Sequence, residues 1–171
     1  MAVVVQNILR LLVLILFQGL ILNSIGLWNG QVQPMLYVLG ILMLPIEAPV
    51  WVVLIACFFT GASVDLFLDT LGMHTSACLV LGILRARILA LFAPRDGYEI
   101  GIRPRIDALG LQWFVSYAGI LILVHHLWLF FLEVFRFSSF FHTFARALGS
   151  AIFTLMLCVL VQYLFFFKRR L

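Results

Sequence analysis

Charge is what this chain has least of. Only 11% of its 171 residues are charged, 7 acidic and 11 basic, against the roughly 25% usual in a soluble domain. Nothing left between the apolar runs is long enough to form a soluble domain. Cysteine is almost absent as well. Cys57, Cys78 and Cys158 stand singly inside apolar runs with no Cys-x-x-C, so they read as small buried hydrophobes and carry no information on redox compartment. Also missing are a phosphate-binding loop, a Rossmann glycine pattern, an H-E-x-x-H motif, a lipidation signal, low-complexity sequence and any repeat of fixed period. The first apolar run lacks a small-residue cleavage site and is followed by more runs, so a retained helix is expected rather than a signal peptide. No cofactor is expected.

What is present is hydrophobic length. Hydrophobic residues make up 65% of the chain and mean hydropathy is +1.19. The runs are long and rich in Leu, Ile, Val and Phe, which favours transmembrane helices over a barrel of alternating strands. The reading is an all-α integral membrane protein, a single transmembrane domain over 1–171. Its six spans are expected at about 8–25, 34–45, 50–68, 75–92, 109–134 and 144–167. The second is short, about eleven residues from Pro34 to Leu44 before Pro45 ends it, and also fits a re-entrant or tilted segment. Thr75 or Ser76 is expected to cap the fourth helix, and Arg85 and Arg87 in its last half to snorkel toward water. The linker 94–108 is the one polar stretch of any length. Phe135 to Thr143 reads as an aromatic turn lying in the headgroup layer, with Trp28 interfacial in the first loop.

The net charge of +4 does not point to nucleic acid, because the basic residues lie in short loops and the tail, where they act as topology signals. Six spans put Arg10, Arg85, Arg87, Arg95, Arg103, Arg105, Lys168, Arg169 and Arg170 on one side and Arg136 and Arg146 on the other. By the positive-inside rule the larger set, the linker and both termini are cytoplasmic.

The stretch with most chemical content is Thr60-Gly61-Ala62-Ser63-Val64-Asp65-Leu66-Phe67-Leu68-Asp69-Thr70-Leu71-Gly72-Met73-His74. On a helix Gly61, Asp65, Asp69 and Gly72 share a face, and that face must avoid lipid because a carboxylate at membrane depth costs roughly 2.5–3.5 kcal/mol. Asp65, one turn deeper, is expected to be the more constrained acid. Thr60, Ser63, Thr70 and Thr75 are too few additional donors for a metal site, and His74 reads as an interfacial histidine after a helix break. Gly61-Ala62-Ser63-Val64 departs from the Gly-x-Ser-Gly of rhomboid proteases at its last position, and no activating histidine is assembled, so no catalytic group is assigned. His125 and His126 are adjacent and cannot chelate one metal as an i, i+4 pair does. With Trp113, Tyr117 and Trp128 they read as lining a helix contact or a small polar pocket. Ala145, Ala147, Gly149, Ser150 and Ala151 put a small-residue face at the start of the last span, suited to packing within the chain or to a partner's helix.

The pattern Gly61-x-x-x-Asp65-Leu66-x-x-Asp69-x-Leu71-Gly72-x-x-x-Ser76, followed by an arginine-bearing helix in a chain of this size, resembles the MreD family of bacterial rod shape-determining membrane proteins. That resemblance implies a six-helix bundle similar to the substrate-binding subunits of energy-coupling-factor transporters, in the bacterial cytoplasmic membrane. It implies a non-enzymatic adaptor that binds an MreC-like partner through Gly61, Asp65, Asp69, Gly72 or Gly149. Through that partner it would act with MreB, RodA and a class B penicillin-binding protein in lateral wall synthesis. The alternative is a transporter-type subunit that binds a small molecule, although the first span carries no Ala-x-x-x-Ala coupling face.

Topology is testable directly. In a cysteine-free background, Gly97→Cys and Ser139→Cys should label from opposite sides of the membrane, and labelling of both from one side rules out the six-span arrangement.

Overall fold

The computed structural model describes residues 2–24, 31–134 and 140–165. Trp28, expected at the interface, residues 135–139 of the expected aromatic turn, and the basic stretch Lys168 to Arg170 lie outside the described residues. Among the described residues there are seven α-helices and no strand: α1 (Ala2–Leu20), α2 (Val38–Leu42), α3 (Val50–Leu68), α4 (Met73–Leu91), α5 (Ile106–Leu109), α6 (Leu111–Val134) and α7 (Phe140–Phe165). Five stretches are long and apolar enough to cross a membrane: Val3–Ser24, Val50–Leu68, Met73–Leu91, Leu111–Val134 and Phe140–Phe165.

Several boundaries differ from the sequence expectation, each for a local reason. Helix α1 starts at Ala2 rather than near residue 8, and Arg10 stands in mid-helix, where its Nη2 donates to Asn7 Oδ1 at 2.8 Å and to the Gly40 carbonyl at 3.4 Å. Helix α7 begins at Phe140, so Phe140 to Thr143 form its first turn instead of a loop. Phe140 stacks on Phe144 one turn later and packs against Phe131 of α6. The end of the linker winds into α5, where Ile106 is buried, and Gly110 at φ +88° separates it from α6 at Leu111.

The second expected span shows the largest difference. Only five residues of it, α2, are helical; residues 32–37 are extended or turning. The segment nevertheless runs through the middle of the bundle, antiparallel to α1. Pro34 and Leu36 lie against Gln18, and Gly40 lies against Arg10. Every residue from Met35 to Leu44 is buried, several of them completely. Irregular backbone is stable at membrane depth only under protein cover that also satisfies its N–H and C=O groups.

The surrounding helices supply both. Gln18 of α1 donates through Nε2 to the Pro34 carbonyl at 3.0 Å and accepts the Leu36 N–H at 2.8 Å. From α7, Ser150 Oγ accepts the Gln33 N–H at 3.1 Å and Thr154 Oγ1 accepts the Met35 N–H at 3.0 Å. At the other end, Tyr117 of α6 donates to the Leu42 carbonyl at 3.0 Å, and Arg85 of α4 donates to the Leu44 carbonyl at 2.5 Å and the Pro45 carbonyl at 3.3 Å. Arg85 therefore does not snorkel. It is 2% exposed, turned inward, with Nε donating to Tyr117 Oη at 3.0 Å; Arg87 stays exposed.

The loops close the end of the bundle at which α1 starts and α7 finishes. Glu47 accepts the Gly101 N–H at 2.7 Å, Trp113 donates to the Phe92 carbonyl at 3.1 Å, Tyr98 donates to the Leu89 carbonyl at 2.8 Å, and Arg103 reaches Gln6 at 3.3 Å. At the opposite end Arg146 pairs with Glu133 at 3.1 Å and donates to the Gln31 carbonyl at 3.2 Å.

Replacing Gln18 by Leu strands a buried carbonyl and a buried N–H, each costing about 1–3 kcal/mol. Gln18→Leu should therefore lower the thermal unfolding temperature in detergent clearly. Leu20→Ala, at a side chain 66% exposed, should leave it almost unchanged.

Candidate functional site

The acid-and-glycine stretch is a clasp between α3 and α4. Gly61 lies so close to α4 that a Cβ there would run into Thr75 Cα and stand 2.7 Å from Thr75 N and 2.9 Å from the His74 carbonyl oxygen. Only glycine permits that approach. One turn later Asp65, buried, reaches across to the start of α4. Its Oδ1 accepts from the His74 N–H at 3.0 Å and the Thr70 hydroxyl at 2.6 Å, and its Oδ2 accepts from the Thr75 N–H at 2.9 Å and the Thr75 hydroxyl at 2.6 Å. His74 Nδ1 is 3.1 Å from Oδ1.

The cap of α4 is thus a carboxylate from the preceding helix, in place of the Thr75 or Ser76 hydroxyl expected from sequence. Ser76 instead donates to the Met73 carbonyl and accepts from Trp128 Nε1 at 3.2 Å. Bare N–H groups at a helix start favour negative charge, and five donors surround this one. Asp69, by contrast, is exposed and lies in the left-handed region at φ 53°, ending α3, while Gly72 at φ +85° starts the next turn. Gly61 and Asp65 face α4, whereas Asp69 and Gly72 shape the connection. His74 is buried within the protein, 5% exposed, held by Asp65 and edge-on to Tyr37 at 6.1 Å between ring centroids.

Tyr37, which the sequence did not single out, joins this clasp to the histidine pair. Its hydroxyl is 3.0 Å from His125 Nε2, and the His125 and His126 rings lie 5.3 Å apart. His126 Nδ1 is 2.8 Å from the Ile122 carbonyl, which can only accept, so the proton is on Nδ1 and Nε2 is the acceptor. Thr154 fills that role at 3.2 Å, its hydroxyl donating to His126 while its oxygen accepts the Met35 N–H. Asp65, His74, Tyr37, His125, His126 and Thr154 thus form one buried polar chain across α3, α4, the broken segment, α6 and α7. The aromatic residues expected beside the histidines divide: Trp113 stacks on Tyr117 at 4.9 Å beside Arg85, and Trp128 is exposed.

Gly149 and the small residues around it pack against the broken segment. A Cβ on Gly149 would stand 3.3 Å from Val32 Cγ2, and Ala147, Ser150 and Ala151 are buried. Ser63, the residue in the serine-protease position of the sequence comparison, donates to the Phe59 carbonyl at 2.7 Å. Among the described residues no three His, Cys, Asp or Glu side chains are grouped to hold a metal ion. Comparisons with protein-family models, curated proteins and solved structures returned no match.

Besides a cavity of about 260 Å³ beside Arg85 and Tyr98 and one of about 600 Å³ between α6 and α7, open space lies on the two flanks of α1. One groove, about 760 Å³, runs between α1 and α3 from Val3 to Ile15 on one wall and from Glu47 to Ser63 on the other. The second, about 710 Å³, lies between α1, the broken segment and the end of α7, and holds Arg10 and Arg103.

Asp65→Leu should orphan the α4 cap and lower unfolding temperature and membrane abundance, each lost buried partner costing about 1–3 kcal/mol. Asp69→Gly should be neutral or mildly stabilising, since glycine takes a positive φ freely. Equal losses from the two variants would contradict the clasp.

Proposed function

We propose that this chain is a non-enzymatic adaptor of the bacterial cell-shape machinery, similar to MreD, that holds the transmembrane helix of an MreC-like partner. In this reading it is a six-pass protein of the cytoplasmic membrane with both termini and the linker inside. The broken segment 31–45 is its second pass, in an arrangement like that of energy-coupling-factor substrate-binding subunits. Through the partner it would cooperate with MreB, RodA and a class B penicillin-binding protein in lateral wall synthesis.

The observation that carries the reading is where the space lies. A solute-binding subunit needs an enclosed pocket with converging polar groups. Here the centre of the bundle is filled by Met35 to Leu44, and the polar side chains that converge there are engaged by its backbone. The hydroxyl–imidazole pair Thr154–His126 is fully buried and lines none of the grooves, which gives a nucleophile no access to substrate.

Of the small-residue surfaces expected to meet a partner, Gly61 and Gly149 are occupied within the chain. The docking surface is therefore assigned to the α1–α3 groove. Its walls follow α1 from Val3 to Ile15 for about 18 Å and α3 from Val52 to Ser63 for about 17 Å at 1.5 Å per residue, long enough to seat several turns of a partner helix. Its apolar walls carry Asn7 and Glu47 toward one end and Thr60 and Ser63 toward the other, groups that can hydrogen-bond a partner helix.

Ala56→Trp fills this groove without touching the clasp. It should cut copurification of the MreC-like protein several-fold while this chain remains in the membrane. Gly149→Leu should instead deplete the chain itself by displacing Val32. Undiminished partner recovery with Ala56→Trp would remove the groove assignment, and a small molecule copurifying in place of a protein would overturn the adaptor reading.

A further inference from the structure

The second groove differs from the first in charge: Glu47 lines the first, Arg10 and Arg103 the second. Its walls are Leu9, Val13, Leu14 and Phe17 of α1, Leu36 and Leu39 of the broken segment, and Val161 and Phe165 of α7. From Gln6 to Phe17 it follows α1 for about 17 Å, roughly half the hydrocarbon thickness. That is the depth of one leaflet. Two guanidiniums stand on its wall toward the linker end, Arg10 and Arg103.

Neither guanidinium has a carboxylate partner among the described residues. Asp107 is engaged by Arg105 at 2.9 Å, and Glu47 accepts the Gly101 N–H on the other flank of α1. Arg103 makes a 3.3 Å bond to Gln6, and Arg10 Nε is buried with no hydrogen-bond acceptor. A buried guanidinium donor without an acceptor is costly, and two neighbouring cations without an anion repel.

We propose that this groove is a binding site for an anionic phospholipid of the leaflet on the linker side, with one acyl chain along α1 and the phosphate between Arg10 and Arg103. An apolar slot with two cations lacking carboxylate partners on its wall matches an anionic lipid: the guanidiniums call for an anion, and a soluble anion would not use the apolar walls. Arginine suits the headgroup because its planar fork can bind phosphate through two N–H donors. The site is separate from the α1–α3 groove, so it stands or falls independently of the adaptor reading.

The test uses the full chain in detergent, titrated with dioleoyl phosphatidylglycerol, dioleoyl phosphatidylcholine or inorganic phosphate, and read by native mass spectrometry and thermal unfolding. Phosphatidylglycerol should be retained at one per chain and raise the unfolding temperature; phosphatidylcholine should bind much more weakly, and phosphate alone should do nothing. The double variant Arg10→Gln, Arg103→Gln should weaken phosphatidylglycerol retention roughly thirtyfold, two basic groups at the scale each contributes near an anionic surface. Because Arg10 also bonds Asn7 and Gly40, Val13→Trp provides a second variant that leaves both charges in place. Val13 is 56% exposed, and a tryptophan there should block the groove and reduce retention of both lipids without unfolding the chain. Equal retention of the two lipids, stabilisation by inorganic phosphate alone, a lipid-free dimer, or phosphatidylglycerol retention unchanged by both variants would overturn the proposal.

Discussion

Lipid supplies no hydrogen bonds, and a stretch of chain that is neither helix nor paired strand has to find its partners among side chains. Residues 31–45 impose that constraint on nearly every other element. Gln18, Arg85, Tyr117, Ser150 and Thr154 come from four long helices, and each spends its polar group on the backbone of this one segment. Removing any of them leaves a buried N–H or C=O without a partner. The small residues at the start of α7 follow from the same constraint, because the extended chain must come close enough for Ser150 and Thr154 to reach it.

Two polar systems extend from this core. Toward one end, His74 and His125 pack on Tyr37, and Asp65 connects them to the cap of α4. Toward the other, Arg85 and Tyr117 gather the carbonyls that α2 leaves unpaired as it ends. Both are structural in the first instance. They explain how ionisable and polar side chains persist in an apolar chain: each is paired with backbone or with another polar group inside protein cover. Two grooves remain beside α1, which is mostly exposed and buries chiefly Leu14, Ile15 and Gln18.

Much of the helical layout was legible in the sequence. The third span expected at 50–68 is helix Val50–Leu68, and Gly61 and Asp65 of the expected acid-and-glycine face turn to protein while Asp69 and Gly72, beyond the helix end, do not. The misses inside the bundle involve partners distant in sequence. Nothing near Arg85 reveals that its acceptors are carbonyls about forty residues earlier, so snorkelling was the natural expectation. Tyr37 sits in a plain apolar run, and its meeting with His74 and His125 depends on the bundle being assembled. The shortness of the stretch from Pro34 to Pro45 was the one available signal that this pass is irregular: extended chain rises more than twice as far per residue as helix, so fewer residues cover the same depth.

The claim that a side-chain-satisfied segment forms the core is tested most directly by amide hydrogen exchange on the intact chain in a lipid nanodisc. The amides of Gln33, Met35 and Leu36 accept no backbone ladder, yet each donates to a buried side chain, so they should exchange as slowly as those in the middle of α6. Gln18→Leu should then speed exchange at Leu36 while α6 stays protected. Exchange across 33–44 as fast as in the exposed linker around Gly97 would contradict the account, since the segment would not be the buried centre on which the other helices are arranged.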